Sequence, residues 1–457
     1  MKFGGTSVGD ASCMRQVGAL VRDALARSPL VVLSAMSGVT NGLFAAAKAA
    51  EKGDYAAAKV ELEKIEDLHK SAVRELFPLG SPAELSRALI SVFEEARVLL
   101  HGVALLRELS PRSMDAIAST GERLSSLVFA AHLVDLKIDA DWVDARALMR
   151  TDGRFGSARP EAQALRALAA ERLVPALRPG RAVVTQGYIG ATETGLTTTL
   201  GRGGSDYSAA LFGAAIKAEE VQIWTDVEGI LTADPRVVAA ARPIAEISFS
   251  EAAELAAFGA KVLHPATIQP AVEARIPVTV RHTLKPQGSF TTIKNDVRAT
   301  RAVTALAARG PVTVLTVSST RMLAQSGFLG RLFEVFSRLD VSVDLVATAE
   351  VSVSLTVEKD APIQALIAEI GRFATVEVAE NRAIVAIVGE RIRSSPGVSR
   401  DVFAAVGDVN VEMISMGANE INLSLVVRAE DAPNLTRRLH AALFESASRP
   451  AVREAKL

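Results

Sequence analysis

The sequence predicts an α/β chain: a mainly parallel sheet sandwiched by helices, followed by two smaller ferredoxin-like βαββαβ modules. Two observations carry this. From Lys2 to about Thr292, short β-branched runs bounded by Gly or Pro alternate with Ala- and Leu-rich helical stretches, the pattern of a largely parallel sheet covered on both faces. Beyond it the chain repeats itself. "GFLGRLFEVFSRLDVSVDLV" (327–346) matches "GVSRDVFAAVGDVNVEMI" (397–414), and "EVSVSLTV" (350–357) matches "EINLSLVV" (420–427). Each unit reads strand, Gly turn, helix, strand, strand, helix, so the tail is a duplicated domain rather than a solenoid of many short units.

Taken in order, the strands of the first segment are "PLVVLSAMSG" (29–38), "RAVVTQGYIG" (181–190), "VQIWTDVEG" (221–229) and "IPVTVRH" (276–282). Residues 43–110 contain no convincing strand, and "AAAKVELEKIEDLHKSAVREL" has helical spacing and mixed charge, so this stretch is expected as a helical insertion that serves as scaffold. The expected organisation is a first domain over 1–292 and a polar linker over 293–311 that ends at Gly310-Pro311. The two modules then occupy 312–382 and 383–457.

Composition narrows the function. A chain of 457 residues is too long for one ordinary domain. Its hydrophobic residues, 49% of the total, never form the roughly 20-residue apolar run of a membrane span. No signal-peptide pattern opens the sequence, and the single Cys13 has no disulfide partner, so a reducing cytoplasmic location is expected. With 51 basic and 52 acidic residues there is no global field to attract nucleic acid or an anionic membrane. The expected partners are small molecules and further copies of the chain. The six histidines lack metal-ligand spacing, so no metal site is expected from them; His264 and Trp224 are expected to pack.

Four Gly-punctuated clusters carry the chemistry. "MKFGGTSVGD" opens the chain with Lys2 ahead of Gly4 and Gly5, where the backbone can approach a ligand closely, and Thr6 or Ser7 can cap the following helix. "TTTLGRGGSD" (197–206) sets Arg202 among glycines and ends in Ser205 and Asp206 before a helical run, a second anion-friendly loop at a helix start. "STGERLSS" (119–126) places Glu122 where a carboxylate can receive an ammonium group. "WTDVEGILTADPR" (224–236) runs off a strand into a loop with Thr225, Asp226, Asp234 and Arg236, and loops at strand ends are where open α/β sheets hold ligands. Facing Gly-rich loops, one with a lysine and one with an acid, suit phosphoryl transfer.

"KFGGTS", "VVLSAMSGVTN", "STGERLS", "GRGGSD", "WTDVEGILTADPR" and "FGAKVLHP" occur in the order seen in aspartate kinases of the amino-acid kinase superfamily, and the repeats resemble that family's paired ACT regulatory domains. The resemblance spans essentially the whole chain. It implies the amino-acid kinase fold, ATP and Mg2+ as cofactors, and L-aspartate as substrate. Lys2 and Asp206 correspond to the catalytic pair. Thr40, Glu122, Arg202, Gly203, Gly204 and Ser205 correspond to the substrate site, Glu122 meeting the amino group and Arg202 the α-carboxylate. Lys2, Phe3, Gly4, Gly5, Thr225, Asp226, Leu231, Arg236, Lys261 and Val262 correspond to nucleotide contacts. Leu231 departs from the tyrosine of related enzymes, which leaves a backbone contact there.

The tail resembles the lysine-sensitive class. By matching positions, Met322, Gln325, Gly327, Phe328, Leu329, Ser342, Val343, Asp344, Thr348 and Glu350 would form an effector pocket for L-lysine, with Asp344 and Glu350 on its amino groups. Gln325 and Ala349 stand in place of serines. Homodimers or higher homo-oligomers through the ACT domains are implied as well. Two other readings stand beside this one: another amino-acid kinase acting on glutamate or acetylglutamate, and a catalytically silent amino-acid sensor. Relatives carry several apolar residues before the lysine, whereas only Met1 precedes it here, so either the start is misplaced or the first strand is truncated, and Lys2 is then expected to be weakly anchored. Related kinases can also be fused to a second enzyme, so a natural continuation past Leu457 is left open.

Overall fold

The computed structural model describes residues 1–259, 265–297, 301–319, 327–417 and 419–445. It divides into two compact units, Met1–Ile230 with Val262–Asn295, and Leu231–Lys261 with Asp296–Leu457.

The chain begins with β1 (Lys2–Phe3), a 3-10 turn (Gly5–Val8), α1 (Ala11–Asp23) and β2 (Leu30–Leu33). Five helices follow: α2 (Val39–Glu51), α3 (Tyr55–Leu76), α4 (Ala83–Leu106), α5 (Pro111–Ala118) and α6 (Thr120–Asp135). Next come β3 (Asp139–Trp142), α7 (Ala162–Arg172), β4 (Arg181–Gln186), the hairpin β5 (Ile189–Ala191) and β6 (Thr197–Thr199), α8 (Gly204–Ala215) and β7 (Val221–Thr225). After β8 (Glu246–Ser248) and α9 (Phe249–Ala257), which belong to the second unit, α10 (Pro265–Glu273), β9 (Val278–His282) and β10 (Thr291–Lys294) complete the first.

In the first unit β3-β4-β2-β1-β7-β9 run parallel, and β10 lies antiparallel against β9. All four residues of β2 are buried, as a strand covered on both faces requires. In α2 the buried Leu43, Ala46, Ala47 and Ala50 recur at helical spacing and turn one face to the core.

The expectation that Lys2 is weakly anchored is corrected. β1 is only two residues long, yet it sits in the middle of the sheet: Lys2 pairs with Val32 on one side and Ile223 on the other, and Phe3 with Leu33 and Trp224. Phe3 is fully buried and stacks on Trp224 with ring centroids 5.9 Å apart. Burial of a side chain of that size contributes about 2–3 kcal/mol. Two flanking ladders and one aromatic stack therefore fix Lys2 without a longer strand.

The second unit continues with β11 (Ala305–Ser318), α11 (Phe328–Arg338), β12 (Val343–Thr348), β13 (Ser352–Glu358), α12 (Ile363–Ile370) and β14 (Thr375–Val388). It then adds α13 (Val398–Val406), β15 (Met413–Met416), β16 (Asn422–Arg428) and α14 (Ala432–His440). One antiparallel sheet holds its six long strands in the order β12-β13-β11-β14-β16-β15.

This register redraws the boundaries expected for the repeat. The stretch expected as a linker contains the first part of β11: residues Ala305 to Arg309 pair with Val388 to Ile384, and Val312 to Ser318 pair with the first half of β14 and with β13. Ala305–Arg309 thus fills the fourth-strand position of the second βαββαβ module, and the first module is nested inside it rather than placed before it. The register shifts between Arg309 and Val312, at the Gly310-Pro311 step, because a proline has no N–H to give to a ladder. Separate cores follow the same division. Leu315, Val317, Phe336, Leu355 and Ile370 fill one, while Leu306, Val385, Ile387, Leu425 and Leu439 fill the other. Ala233 and Val238 pack into that second core, and the segment 231–259 clusters with the second unit.

Candidate functional site

The site is built where β1, β2, β4 and β7 end. Beyond Phe3 the chain makes one more ladder bond, from the Gly4 N–H to the Trp224 carbonyl (3.3 Å), and then turns. Gly4 has an extended backbone that any residue adopts, so its lack of a side chain matters for space. A Cβ there would lie 3.6 Å from Lys2 Nζ, which folds back over this residue. A Cβ on Gly5 would come within 2.9 Å of the Ala35 carbonyl, a backbone atom that cannot swing aside.

Lys2 Nζ meets Asp206 Oδ1 at 2.6 Å, with both side chains largely buried (10% and 20% exposed). Asp206 lies in the first turn of α8, where the helix's free N–H groups favour negative charge. The turn before it requires glycine: Gly201 and Gly203 have φ of 78° and 72°, in the left-handed region. Arg202 between them is exposed. Ser205 packs under the end of β4, since a Cβ on Gly187 would lie 2.7 Å from its Cβ.

Glu122 stands in the first turn of α6, pressed against the exit of β2. Gly121 permits that approach, because a Cβ there would lie 2.8 Å from the Ala35 Cβ. Ser125 Oγ donates to the Ser34 carbonyl at 2.7 Å and holds the helix in place. Glu122 Oε1 accepts the Ala35 N–H at 3.2 Å, while buried Oε2 has no partner among the described residues. Burial pushes this carboxyl up to about 8. A buried carboxylate oxygen without a partner is a receptor for a cation. Thr40, in the first turn of α2 after Gly38 (φ 82°), is half-buried beside the same loop.

On the other flank, Thr225 ends β7, its hydroxyl donating to Asp226 Oδ1 at 3.1 Å and its carbonyl accepting the Thr283 N–H at 2.9 Å. Phe3, expected among the nucleotide contacts, has its ring in the core, so only its backbone can face a ligand. Leu231 and Arg236 fall in the second unit; Leu231 bridges to Pro243, and Arg236 is held by Asp234 at 2.6 Å. Lys261 and Val262 lie outside the described residues.

Sequence reasoning missed three features. Tyr188 adopts φ 68°, costly for a residue with a side chain; burial raises its hydroxyl pKa, and that hydroxyl is hydrogen-bonded to Thr199. The Ser7 and Thr283 hydroxyls, both buried, meet at 2.7 Å and tie the Gly4-Gly5 turn to the end of β9. Asp115 is a buried carboxylate on α5. Only the "GYIG" turn offered a signal in advance.

Of the effector residues, Gly327 (φ 92°) caps α11, Phe328 sets its ring edge-on to Phe373 (5.8 Å), and Leu329 is exposed. Ser342, Thr348 and Glu350 are exposed around β12, while Val343 and Asp344 are half-buried on it. Asp344 Oδ1 is engaged by Arg309 Nη1 at 2.8 Å, and the same nitrogen donates to the Ala257 carbonyl at 3.2 Å. Met322 and Gln325 lie outside the described residues.

Residues 1–282 match the amino acid kinase family, and residues 385–443 match an ACT domain. Lysine-sensitive aspartokinase 3 of Escherichia coli is 43% identical, over 97% of this chain and 98% of its own. Chloroplastic aspartokinase 1 of Arabidopsis thaliana is 38% identical, over 98% of this chain and 80% of its own. Two solved structures of E. coli aspartokinase III, each 42% identical, superpose on the chain. The T-state complex with lysine and aspartate has a TM-score of 0.81 and covers 97% of this chain and 98% of its own. The R-state complex with aspartate and ADP has a TM-score of 0.82 and covers 97% and 99%.

The buried carboxyl yields a pH-dependent stability. A folded-state value near 8, against an ordinary 4.5, means that stability is full below about 4.5 and declines as pH rises to about 8, because the unfolded chain releases the proton first. Glu122→Gln should remove this slope in the ligand-free protein. The melting temperature of the variant minus that of the wild type should therefore grow steadily from pH 5 to pH 8; a constant difference would show the carboxyl to be ionised throughout.

Proposed function

The chain belongs to the aspartokinases of the amino acid kinase family, and we propose that it transfers the γ-phosphoryl group of ATP to the β-carboxylate of L-aspartate. The product is 4-phospho-L-aspartate, the first intermediate of lysine, threonine and methionine synthesis, and lysine acts as feedback inhibitor. The observation that carries this reading is the Lys2–Asp206 pair, its lysine on the central strand β1, together with a buried carboxylate oxygen on Glu122 that has no partner among the described residues.

The attacking β-carboxylate has a pKa of about 4 and is already ionised at neutral pH. No base has to remove a proton, so the burden falls on alignment and on charge neutralisation at the phosphoryl group. Lys2 supplies the cation. Gly4 and Gly5 leave the turn open to a triphosphate, and the N-terminus of α8 presents N–H groups behind Asp206. Arg202, exposed on its loop, is free to form a two-pronged bond with the α-carboxylate. Glu122 faces the substrate ammonium, whose arrival favours the ionised carboxylate.

Among the described residues no three His, Cys, Asp or Glu side chains converge as a metal cage. Asp206, a carboxylate at the proposed reacting centre, together with the nucleotide phosphates would hold a magnesium ion, which would supply further neutralisation of phosphate charge. No helix among the described residues is long and apolar enough to cross a membrane. Family resemblance supports association of two copies through the ACT modules.

Regulation is read from the nested modules. Asp344 exchanges its Arg309 partner for the ammonium of bound lysine, and allosteric coupling requires this binding to weaken substrate affinity reciprocally.

Two experiments test these readings. A hydroxamate assay with ATP and magnesium should give product with aspartate and little with glutamate, and Lys2→Ala should lower kcat roughly a hundred- to thousandfold while moving the aspartate KM little; unchanged turnover in that variant would remove Lys2 from the chemistry. In the same assay Asp344→Ala should need at least about tenfold more lysine for half-inhibition, the loss expected for a charge-assisted contact. Inhibition intact in this variant would exclude Asp344 from the effector pocket.

A further inference from the structure

Among the buried ionisable groups that the proposed chemistry leaves unused, Asp115 is the one most fully engaged with the site's framework. It is 2% exposed. Its Oδ2 accepts the backbone N–H groups of Thr199 (2.8 Å) and Gly156 (2.9 Å), and its Oδ1 accepts the Thr199 hydroxyl at 2.7 Å. Thr199 is the last residue of β6, three positions before Arg202. Gly156 belongs to the loop against which the Arg202 turn rests, since a Cβ on Gly201 would lie 3.0 Å from the Gly156 carbonyl. Both contacts therefore bear on the loop that presents Arg202.

The other end of the same residue bears on Glu122. The Asp115 carbonyl accepts the Ser119 N–H at 3.0 Å, closing the last turn of α5, and α6 starts at the next residue with Glu122 in its first turn. The Asp115 side chain thus ties α5, whose last turn runs directly into α6 and Glu122, to the end of β6, three residues before Arg202.

We infer that Asp115 is a positioning residue for the amino-acid substrate: it sets the placement of the Arg202 loop relative to Glu122 and so controls aspartate affinity without touching the substrate. This rests on the reading of Glu122 and Arg202 as the aspartate site. None of these hydrogen bonds reaches Lys2 or the Thr225 edge, and Asp206 is held in turn by its own helix, α8, so the larger effect falls on the amino acid. Asparagine can replace Asp115 with little loss. Its carbonyl keeps the two amide donors, and its NH2 donates to the Thr199 hydroxyl, which can accept as readily as donate.

Steady-state kinetics of the full chain test this. Asp115→Ala should raise the aspartate KM roughly ten- to a hundredfold, as displacement of a substrate-positioning element does. The ATP KM and kcat should stay within about twofold, and Asp115→Asn should return the aspartate KM to within about threefold of wild type. Should the alanine variant not fold, Thr199→Val, which loses the hydroxyl bonds to Asp115 and Tyr188 but keeps the backbone N–H on Oδ2, should raise the aspartate KM about threefold, while Tyr188→Phe, which loses only the Tyr188 bond, should leave it unmoved. An unmoved aspartate KM, or equal losses for both substrates, overturns the inference. Arg202→Ala separates it from the underlying reading: a raised aspartate KM there with none in Asp115→Ala overturns this inference alone, whereas no change in either overturns the assignment of the loop as well.

Discussion

A lysine ammonium and an aspartate carboxylate, 2.6 Å apart and mostly shielded from water, organise the catalytic unit. Removing two charges from water is costly, and a pair of this kind is tolerated only when its partners are held in good geometry. That geometry comes from the fold. Lys2 is fixed by ladders on both sides of a two-residue strand, and Asp206 by the first turn of a helix that glycines launch from the neighbouring loop. Each partner would be left an uncompensated buried charge without the other. The pair therefore keeps the ammonium oriented over the Gly4-Gly5 turn until an anion competes for it.

Glu122 follows the opposite logic. It is buried without a cation, its carboxyl is pushed up to about 8, and one oxygen has no partner among the described residues. On the proposed reading, the positive charge that pairs with Glu122 comes from the substrate ammonium rather than from the protein. Lys2 has an ion-pair partner in advance and Glu122 has none among the described residues. This asymmetry fits a reaction in which an anionic phosphoryl group displaces one internal contact while an amino acid supplies a missing one.

Much of this was legible in the sequence where the chemistry is local. Lys2 before two glycines, Arg202 between glycines and Glu122 at a helix start each mark a role that needs a particular residue type in a particular turn. Legibility ended where partners lie far apart in the chain. Asp115 and Thr199 are 84 positions apart, and nothing in either neighbourhood points to the other. The nested regulatory modules were hidden for a related reason: the repeat shows two similar units in succession, but the fourth strand of the second unit is drawn from Ala305–Arg309, upstream of the first. The anchoring of Lys2 was underestimated because strand length in the sequence says nothing of neighbours on both sides. Arg309 as the partner of Asp344 was equally invisible, since it stands in a stretch whose Gly-Pro step reads as a connection rather than a ladder.

The central claim is that the Lys2 ammonium serves the terminal phosphate of ATP. A crystal structure with a non-hydrolysable ATP analogue, magnesium and L-aspartate tests it most directly. The account requires Lys2 Nζ within about 3 Å of a γ-phosphate oxygen, as a charge-assisted hydrogen bond demands. A fully bound triphosphate with that ammonium turned away from it, toward solvent or toward Asp206 alone, would contradict the account.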